Sequence, residues 1–280
     1  MTERPWQSYD PVAGAYDRAW HPSFEPVARD LLDLVALESH DAMLDVGTGT
    51  GVAAAAAAEQ AGRSVLVGID PSLPMLRLAR QHAIVPLAAA RTPGLPFPAR
   101  TFDVVVANLV ISHLERCDAG LGDMVRVLRQ GGRLGVTTWG SFDDEPVDDG
   151  QQRQLTGIWR SIAGHFVDIE AATEVVDAAI PWEAWFGDPA HLRGALEGSG
   201  LRRVDLTSRT YRSCVSQRDA LAGYETSFWG RYLRHTLGDT DWARFRREVA
   251  GAAARVLPDP ITRVDQLLIG VGTKRFATRP

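Results

Sequence analysis

A glycine-rich segment at residues 44–51 is the strongest chemical signal in this chain of 280 residues. It reads Leu-Asp-Val-Gly-Thr-Gly-Thr-Gly, follows an apolar run typical of a buried β-strand and precedes an alanine-rich run typical of a helix. Glycines at such a junction let the backbone turn tightly and approach a ligand, while the first turn of the helix presents free N–H groups. The segment therefore predicts a ligand-binding loop between a strand and a helix.

A carboxylate, Asp70, ends the next predicted strand, 19 residues after Gly51. At this place in an open α/β sheet, a carboxylate can accept hydrogen bonds from both ribose hydroxyls of a nucleoside. The glycine loop and Asp70 together favour a cofactor that contains a nucleoside.

Two such cofactors fit the loop, and they place the glycines in different registers. A dinucleotide fingerprint can be aligned as Gly49-x-Gly51-x-x-Ala54, but the carboxylate of Asp45 would then lie close to a pyrophosphate and repel it. In the register that begins at Gly47, Asp45 faces a ligand that carries positive ammonium and sulfonium groups and no phosphate. The residues favour S-adenosylmethionine, and a nicotinamide cofactor remains the alternative.

An α/β fold must position these residues, because short β-branched runs alternate with helical stretches over residues 25–138. Five runs predict strands buried on both faces of a parallel sheet, at Ala42–Val46, Val65–Ile69, Ile84–Ala89, Phe102–Ala107 and Arg133–Thr138. Helices are predicted over Ala53–Ala61, Pro74–Gln81 and Leu121–Leu128, the last ended by Gly131 and Gly132. The pattern predicts a doubly wound sheet.

The alternation breaks after residue 140, where an acidic turn at 143–149 opens a helical segment, and it resumes with a helix near Pro189–Gly198. A strand near Arg202–Arg212, a second helical segment and a last strand near Arg263–Lys274 follow. We divide the chain into 1–140, the N-terminal helices and cofactor core; 141–187, a helical insert; 188–215, a core helix and strand six; 216–258, a second insert; and 259–280, the final strand.

Both inserts would leave the carboxyl edge of the sheet, where open α/β sheets bind ligands. We therefore expect them to form a lid over the site. The alternative is that their aromatic residues form only the cores of the inserts, as aromatic stripes at helical spacing usually do.

Four motifs in this order make the chain resemble the class I S-adenosylmethionine-dependent methyltransferases, in the ubiquinone/menaquinone-biosynthesis-like subgroup that also methylates many natural products. They are the glycine loop; 68–75, Gly-Ile-Asp-Pro-Ser-Leu-Pro-Met; 95–98, Leu-Pro-Phe-Pro, with 101–108, Thr-Phe-Asp-Val-Val-Val-Ala-Asn; and 125–134, Val-Arg-Val-Leu-Arg-Gln-Gly-Gly-Arg-Leu. The resemblance covers residues 9–140 well and the rest only in strand order. It implies a seven-stranded, mostly parallel Rossmann-like sheet with an antiparallel last strand and helical lid inserts.

The resemblance also implies roles for single residues. Gly47, Gly49 and Gly51 would pass beneath the methionine part of the cofactor, Asp45 would orient it through its amino group or a water, and Asp70 would hold the ribose. The remaining contacts would come from Pro71 and Met75 on the adenine, from the backbone near Asn108 on the ammonium, and from Tyr16, which would close over the cofactor. The alternative for Tyr16 is a place on an amphipathic helix docked on the sheet.

One position departs from the family pattern. Members commonly have an acidic residue at the end of the third strand to accept from the adenine amino group, whereas this chain has Arg91 there, followed by Thr92. A guanidinium has no acceptor. We expect adenine to be recognised through backbone atoms near Arg91 and Thr92.

Methyl transfer from a sulfonium is a direct displacement, so alignment of the reactants and exclusion of water can supply much of the rate. A base is needed only for an acidic O–H or C–H acceptor. His113, five residues after Asn108, is the best-placed candidate base. The family often has a histidine here, frequently with a structural role, so bracing of the loop after strand four is the favoured interpretation. His165, His235 and Glu225 on the inserts are further candidates, each more typical of a surface or core polar residue.

The chain lacks the sequence motifs of other methyltransferase classes. Residues 107–110 read Ala-Asn-Leu-Val rather than the proline-containing turn of nucleic-acid and glutamine N-methyltransferases, and no proline precedes Cys117 as in a cytosine-type nucleophile. The acids at 143–149 resemble a solvated turn, so we expect no metal ion.

Composition restricts the partners and the compartment. The formal net charge is -5, which gives no overall basic footprint for nucleic acid, and no apolar run approaches the ~18 residues that a bilayer requires. The N-terminus lacks the apolar core of a signal peptide, and Cys117 and Cys214 lack paired spacing. We expect a cytoplasmic enzyme with no membrane or nucleic-acid partner, and the sequence leaves a homodimer open.

The sequence thus predicts transfer of a methyl group from S-adenosylmethionine to an O, N or C atom of a small apolar or aromatic metabolite. The alternatives are a nicotinamide-dependent oxidoreductase and an S-adenosylmethionine-binding protein that catalyses a non-methylating reaction.

Overall fold

The computed structural model describes residues 4–62, 65–140 and 150–276. The chain divides into two compact units. The sheet unit contains the described parts of 24–141, 180–209 and 266–280, and the helical unit those of 1–23, 142–179 and 210–265. We describe each unit by itself.

A seven-stranded sheet occupies the described chain in the order β3-β2-β1-β4-β5-β7-β6. The strands are β1 (Ala42–Val46), β2 (Val65–Asp70), β3 (Leu87–Ala89), β4 (Phe102–Asn108), β5 (Leu128–Trp139), β6 (Leu201–Val215) and β7 (Ile261–Lys274). Strands β1 to β5 pair in parallel, and β7 runs antiparallel to β5. The predicted Rossmann-like fold class is confirmed.

The central strands are apolar along their length because both faces of the sheet are covered. Val104, Val105 and Val106 are all fully buried, as is Leu44. A strand with water on one face would alternate instead. Asp45 interrupts this apolar run, and it is paired with Gly68 on one side and with Val106 on the other.

The helices of the sheet unit follow the strands in the doubly wound pattern. They are α2 (Val52–Gln60), α3 (Leu73–His82), α4 (Cys117–Val127), α7 (Trp182–Phe186), α8 (Pro189–Gly198) and the part of α1 (Ala13–Leu34) from residue 24 onward. Side chains cap two of them: Ser72 accepts from the N–H of Met75 (3.3 Å), and Asp188 from that of Ala190 (2.7 Å). A 3-10 turn at Ile111–His113 follows β4.

The bounds of several elements differ from the sequence prediction; β5, for example, begins at Leu128 and not at Arg133. Two further differences have a physical reason. Strand β3 begins at Leu87 and not at Ile84, because Pro86 has no N–H for the ladder and only its carbonyl accepts, from Gly68 N–H (3.0 Å). Helix α4 ends at Val127, and Gly132 lies within β5, where a Cβ would approach the carbonyl oxygen of Asp103 to 2.9 Å. That glycine permits close approach of two strands rather than ending a helix.

The helical unit contains α5 (Gln151–Ala163), α6 (Ile169–Asp177), α9 (Gln217–Thr226), α10 (Phe228–Val256) and the first part of α1. Helix α10 is broken at Gly238, which has a φ of 69°. The core of the helical unit is a cluster of six buried residues, Trp159, Ala163, Leu233, Trp242, Phe245 and Val249. The acidic turn predicted at 143–149 lies outside the described residues, and the predicted insert boundaries stay a prediction.

Among the helices of the described ranges, none combines the length and the apolar character that crossing a membrane requires.

Candidate functional site

The glycine loop joins β1 to α2 in the sheet unit. Gly47, Gly49 and Gly51 have φ values of 67°, 54° and 89°, the left-handed region that L side chains rarely adopt. A Cβ on Gly47 would also lie 2.5 Å from a methyl of Val110, and one on Gly51 would lie 3.0 Å from Ala79. Conformation and space therefore both require glycine at these two positions.

Hydrogen bonds from the neighbouring strand hold the loop in place. The N–H of Thr48 donates to the carbonyl oxygen of Ile69 (2.8 Å), and the N–H of Gly49 donates to Oδ2 of Asp70 (3.0 Å). The N–H of Gly51 donates back to the carbonyl oxygen of Thr48 (2.8 Å). The carboxyl end of β2 thus fixes the loop that follows β1.

Asp45 is a buried carboxylate beneath this loop, with 1% of its surface exposed. Its Oδ2 accepts from the hydroxyl of Thr48 (2.7 Å), while its Oδ1 has no hydrogen-bond partner in the described part of the chain. Burial raises the pKa of Asp45 to about 7, against the lowering effect of the Thr48 hydroxyl, and the charge of Asp70 raises it further. An unsatisfied buried carboxylate oxygen is costly, and a cationic ligand would relieve that cost.

Asp70 lies at the end of β2 and is 9% exposed. Its Oδ1 accepts from the N–H of Ser72 (2.8 Å), and its Oδ2 from Gly49. Asp70 therefore has a structural role in the loop, and its contact with the ribose hydroxyls stays a prediction.

The loop after β4 is fixed beside the glycines. Oδ1 of Asn108 accepts from the hydroxyl of Thr137 (2.6 Å), which itself accepts from the N–H of Leu109 (2.8 Å). Leu109 has a φ of 57°, a strained conformation for a non-glycine residue that is common at functional sites. The next residue, Val110, fills the space beside Gly47. The ends of β1, β2 and β4 therefore form one edge.

His113 belongs to the 3-10 turn that continues this loop. Its backbone N–H donates to the carbonyl oxygen of Val110 (2.9 Å), and its side chain is exposed. The turn packs against α7. The structure thus places His113 three residues beyond the contact of Val110 with Gly47, and whether it takes a proton stays a prediction.

The residues proposed to contact adenine differ in exposure. Met75 is buried, Pro71 and Arg91 are exposed, and the hydroxyl of Thr92 donates to the carbonyl oxygen of Gly120 (3.3 Å). Recognition of adenine through the backbone near Arg91 and Thr92 stays a prediction.

The segment after Thr92 is held by an acid and a base that the sequence interpretation missed. Oδ2 of Asp123 accepts from the N–H groups of Gly94 (2.6 Å) and Leu95 (2.7 Å). The guanidinium of Arg126 donates to Oδ1 of Asp123 (2.8 Å) and to the carbonyl oxygen of Phe97 (2.7 Å). Their spacing of three residues on α4 was a usable signal, since it puts both side chains on one face of the helix.

The remaining candidates lie in the helical unit. Tyr16 is half-buried, with its ring centroid 5.4 Å from that of Tyr9. His165 and His235 are exposed, and Glu225 accepts a charge-assisted hydrogen bond from Nε of Arg246 (2.5 Å). Their predicted roles stay predictions.

Thr137 is the positioning residue that the sequence interpretation overlooked. It is fully buried, and it links Asn108 and Leu109 to β5. A polar residue near the carboxyl end of an otherwise apolar strand was the available signal.

Comparison with known proteins identifies the family. Residues 44–136 match the model of a methyltransferase domain. The chain is 31% identical over 242 residues to nocamycin O-methyltransferase of Saccharothrix syringae, with 81% of each chain covered. It is 32% identical over 141 residues to aklanonic acid methyltransferase DauC of Streptomyces sp. strain C5, covering 47% of this chain and 63% of that one.

The solved structures agree in fold. Phosphoethanolamine N-methyltransferase 2 of Haemonchus contortus, in complex with S-adenosyl-L-methionine, superposes with a TM-score of 0.55 at 16% identity. The match covers 95% of this chain and 57% of that one. The nicotinamide alternative is not supported, and the chain belongs to the class I S-adenosylmethionine-dependent methyltransferases, with S-adenosylmethionine as its cofactor.

Proposed function

We propose that this methyltransferase transfers the methyl group to an oxygen atom of a small metabolite with an aromatic or otherwise apolar body, of the kind made in natural-product biosynthesis. The observation that carries the proposal is the extent of the similarity to nocamycin O-methyltransferase, which spans 242 residues. The cofactor domain alone matches over 44–136. The similarity therefore extends well beyond the cofactor domain, into chain that is available to recognise an acceptor.

The residues around the glycine loop fit S-adenosylmethionine. The orphaned Oδ1 of Asp45 favours a cationic ligand, and Gly47 and Gly51 keep the loop free of Cβ atoms. Two acids, Asp45 and Asp70, would disfavour a pyrophosphate at the same place. The bound cofactor supplies a methyl group on a positive sulfur.

We assign the contacts residue by residue. Asp45 binds the ammonium end directly or through a water, and the carboxylate of Asp70 at the end of β2 accepts from the ribose hydroxyls. The backbone near Asn108 meets the methionine ammonium. Met75 supports the adenine from its buried place on α3, with Pro71 at the surface. Tyr16 closes over the cofactor as the family resemblance implies.

The enzyme accelerates methyl transfer mainly by aligning the acceptor with the cofactor. A displacement at the methyl carbon needs the acceptor oxygen in line with the leaving sulfur and water kept away. We propose that segments 141–187 and 216–258 supply this enclosure, because they contribute the aromatic core of the helical unit. His113 braces the loop after β4, and an acceptor oxygen that is already ionised needs no base.

Two measurements test the proposal. Calorimetry with S-adenosylhomocysteine and with NAD should give binding of the first alone. Radiolabelled methyl transfer should then be measured to 2-naphthol, 2-naphthoic acid and 2-naphthylamine, which share one ring system and differ in the acceptor atom. Transfer to an oxygen compound supports the proposal, and transfer to the amine alone contradicts it.

A further inference from the structure

The hydroxyl of Thr137 in β5 makes two hydrogen bonds with the end of the neighbouring strand. Thr137 is 0% exposed, and strand pairing places it directly beside Asn108. Its Oγ1 donates to Oδ1 of Asn108 (2.6 Å) and accepts from the N–H of Leu109 (2.8 Å). One buried hydroxyl therefore holds both the last residue of β4 and the first residue of the loop that follows.

Thr138, the next residue of β5, provides the comparison. It is as deeply buried, with 1% of its surface exposed, but its Oγ1 has no hydrogen-bond partner in the described stretches of the chain. Successive side chains of a strand face opposite sides of the sheet. Two adjacent hydroxyls of the same kind thus differ in their surroundings, and Thr137 is the one bonded to the loop after β4.

The backbone that Thr137 holds has an unfavourable conformation. Leu109 has a φ of 57°, in the left-handed region that residues with a Cβ rarely adopt. Such a conformation persists only where the surrounding contacts maintain it. The hydrogen bond from the N–H of Leu109 to a hydroxyl shielded from water is a contact of this kind. Without the hydroxyl, we expect the backbone at Leu109 to shift.

A shift at Leu109 would affect the glycine loop through the next residue. A Cβ on Gly47 would lie 2.5 Å from a methyl of Val110, so the two loops are in close contact there. The carbonyl oxygen of Val110 also accepts from the N–H of His113 (2.9 Å). All of these residues belong to the sheet unit. The Thr137 hydroxyl therefore helps to set the position of the loop after β4 against the glycine loop.

These two loops are assigned to one part of the cofactor, the methionine part. The ribose is assigned to Asp70, which accepts from the N–H groups of Gly49 (3.0 Å) and Ser72 (2.8 Å). Neither of those hydrogen bonds involves Thr137. Loss of the Thr137 hydroxyl should therefore weaken contacts with the methionine part and spare those with the nucleoside.

We propose that Thr137 is a positioning residue for the methionine part of S-adenosylmethionine. Its hydroxyl fixes the backbone at Asn108 and Leu109 in the place that this part of the cofactor requires, and it acts through that backbone rather than by contact with the cofactor. The inference rests on the proposed function, from which it takes the contact between the backbone near Asn108 and the methionine ammonium.

Two ligands that differ in the amino-acid part test the proposal by calorimetry on the full chain. S-adenosylhomocysteine contains that part, whereas methylthioadenosine keeps the adenosine and the sulfur and lacks it. Thr137→Val preserves the shape of the side chain and removes the hydroxyl. We expect this variant to bind S-adenosylhomocysteine about tenfold more weakly than the parent, and methylthioadenosine, measured by competition, within about twofold of it. Equal losses for the two ligands, or no loss for either, overturn the proposal.

Two neighbouring variants separate the hydroxyl from a general disturbance of β5. Thr137→Ser keeps the hydroxyl and should restore most of the affinity for S-adenosylhomocysteine. Thr138→Val is the matched control, because it removes an adjacent, equally buried hydroxyl that is not bonded to the loop, and both affinities should stay at the parent values. A loss in Thr138→Val as large as that in Thr137→Val contradicts the proposal.

Asn108→Ala tests the same hydrogen bond from its other end, and it decides the matter if Thr137→Val fails to fold. Asn108 is half-buried, so its truncation disturbs the core less. We expect a loss of about threefold for S-adenosylhomocysteine and none for methylthioadenosine. In the double variant the two losses in binding free energy should sum to less than their total, because both substitutions remove one shared bond. An equal loss for both ligands in Asn108→Ala, or none, overturns the proposal.

The failure of this inference differs from failure of the proposed function. Loss of S-adenosylhomocysteine binding in the unmodified protein, or label transferred only to an amine, contradicts the proposed function. Normal binding of S-adenosylhomocysteine by the parent, with an unchanged ratio of the two affinities in Thr137→Val and Asn108→Ala, contradicts the role of Thr137 alone.

Discussion

The two carboxylate oxygens of Asp45 have different environments. It accepts from Thr48 to shape the glycine loop, and it keeps its other oxygen unsatisfied in a buried place. In the free protein this arrangement is unfavourable to an ionised group, which is why the pKa rises to about 7. Ionised Asp45 therefore lowers the stability of the free protein, and we expect a cationic ligand to offset that loss.

The first prediction concerns the pH dependence of Asp45. Its pKa rises from 3.8 in the unfolded reference to about 7 in the folded protein, so the folded state binds this proton more tightly. The contribution of Asp45 to the free energy of unfolding should therefore fall as the pH rises from about 4 to about 7. Asp45→Asn removes this loss, and the variant should gain stability relative to the parent across that window.

Cofactor binding should show the opposite dependence. Ionised Asp45 attracts the ammonium group, so the affinity of the parent for S-adenosylhomocysteine should rise between about pH 5 and about pH 8, and Asp45→Asn should lack that rise. Thermal unfolding and calorimetry over the same buffers measure both effects. Equal affinities of parent and variant would show that Asp45 serves the loop alone.

His113 provides the second prediction at this scale. If it braces its turn, His113→Ala should lower the transfer rate by less than about tenfold and leave the pH profile of the rate unchanged, whereas a general base would cost ~10² to 10⁴ and remove one limb. We expect the first outcome, because an exposed side chain is poorly shielded from water. Turnover measured against pH decides it, with His40→Ala, another exposed histidine of the sheet unit, as the control.

At the scale of elements, the glycine loop and the loop after β4 depend on each other. The side chain of Val110 occupies the space that a Cβ on Gly47 would need. The same Val110 accepts the N–H of His113 through its carbonyl oxygen. A change at the first loop should therefore displace the second.

Two alanine substitutions separate this contact from backbone strain. Gly47→Ala and Gly49→Ala both place a side chain at positive φ, which costs roughly 1–2 kcal/mol each. Only Gly47→Ala also creates a clash, because the nearest atom to a Cβ on Gly49 is 3.9 Å away. We expect Gly47→Ala to lose at least about tenfold more cofactor affinity than Gly49→Ala in calorimetry. Equal losses would mean that strain alone matters.

Most elements were predictable from the sequence because their signals are local. The apolar runs at Ala42–Val46 and Phe102–Ala107 match β1 and β4 closely, and the glycine loop lies where its motif indicates. The predicted start of β3 at Ile84 was three residues too early and the predicted end of α4 at Leu128 one residue too late, since a proline in the ladder and a glycine between two strands make their contacts with residues distant in sequence. Asp123 and Thr137 each had a local signal, but their hydrogen-bond partners Gly94 and Asn108 lie 29 residues away in the sequence, so their roles were not predicted.

At the scale of the whole molecule, the sequence did not reveal how the chain divides. The N-terminal residues up to 23 belong to the unit that contains the two helical segments, and the first part of β7 belongs there too. The buried charged residues Arg231, Arg263 and Asp265 of the helical unit had no motif, because their environments arise from contacts such as that of Arg231 with Trp6, 225 residues apart. The periodicity of apolar residues and the spacing of motifs in the sequence do not indicate long-range contacts of this kind.

Because the chain divides into a sheet unit and a helical unit, a substitution in the helical unit should affect methyl transfer without affecting cofactor binding. Apart from Tyr16, every residue that we assign to the cofactor lies in the sheet unit. Phe245 lies at the core of the helical unit, fully buried, with its ring 4.8 Å from Trp159 and 5.8 Å from Phe166. Phe245→Ala removes this centre and should destabilise the helical unit by ~3–5 kcal/mol.

We expect Phe245→Ala to reduce methyl transfer strongly while affinity for S-adenosylhomocysteine stays within a few-fold of the parent. Leu44→Ala is the matched control, because Leu44 is equally buried but lies in β1 beside Asp45, so it should lower both quantities. Deleting 216–258 would be a weaker test, since it removes Leu233, Trp242 and Phe245 together and leaves Trp159 without its core. If Phe245→Ala loses cofactor affinity as severely as Leu44→Ala, the helical unit itself helps to bind the cofactor. The contribution of Tyr16 to cofactor affinity should then be measured first.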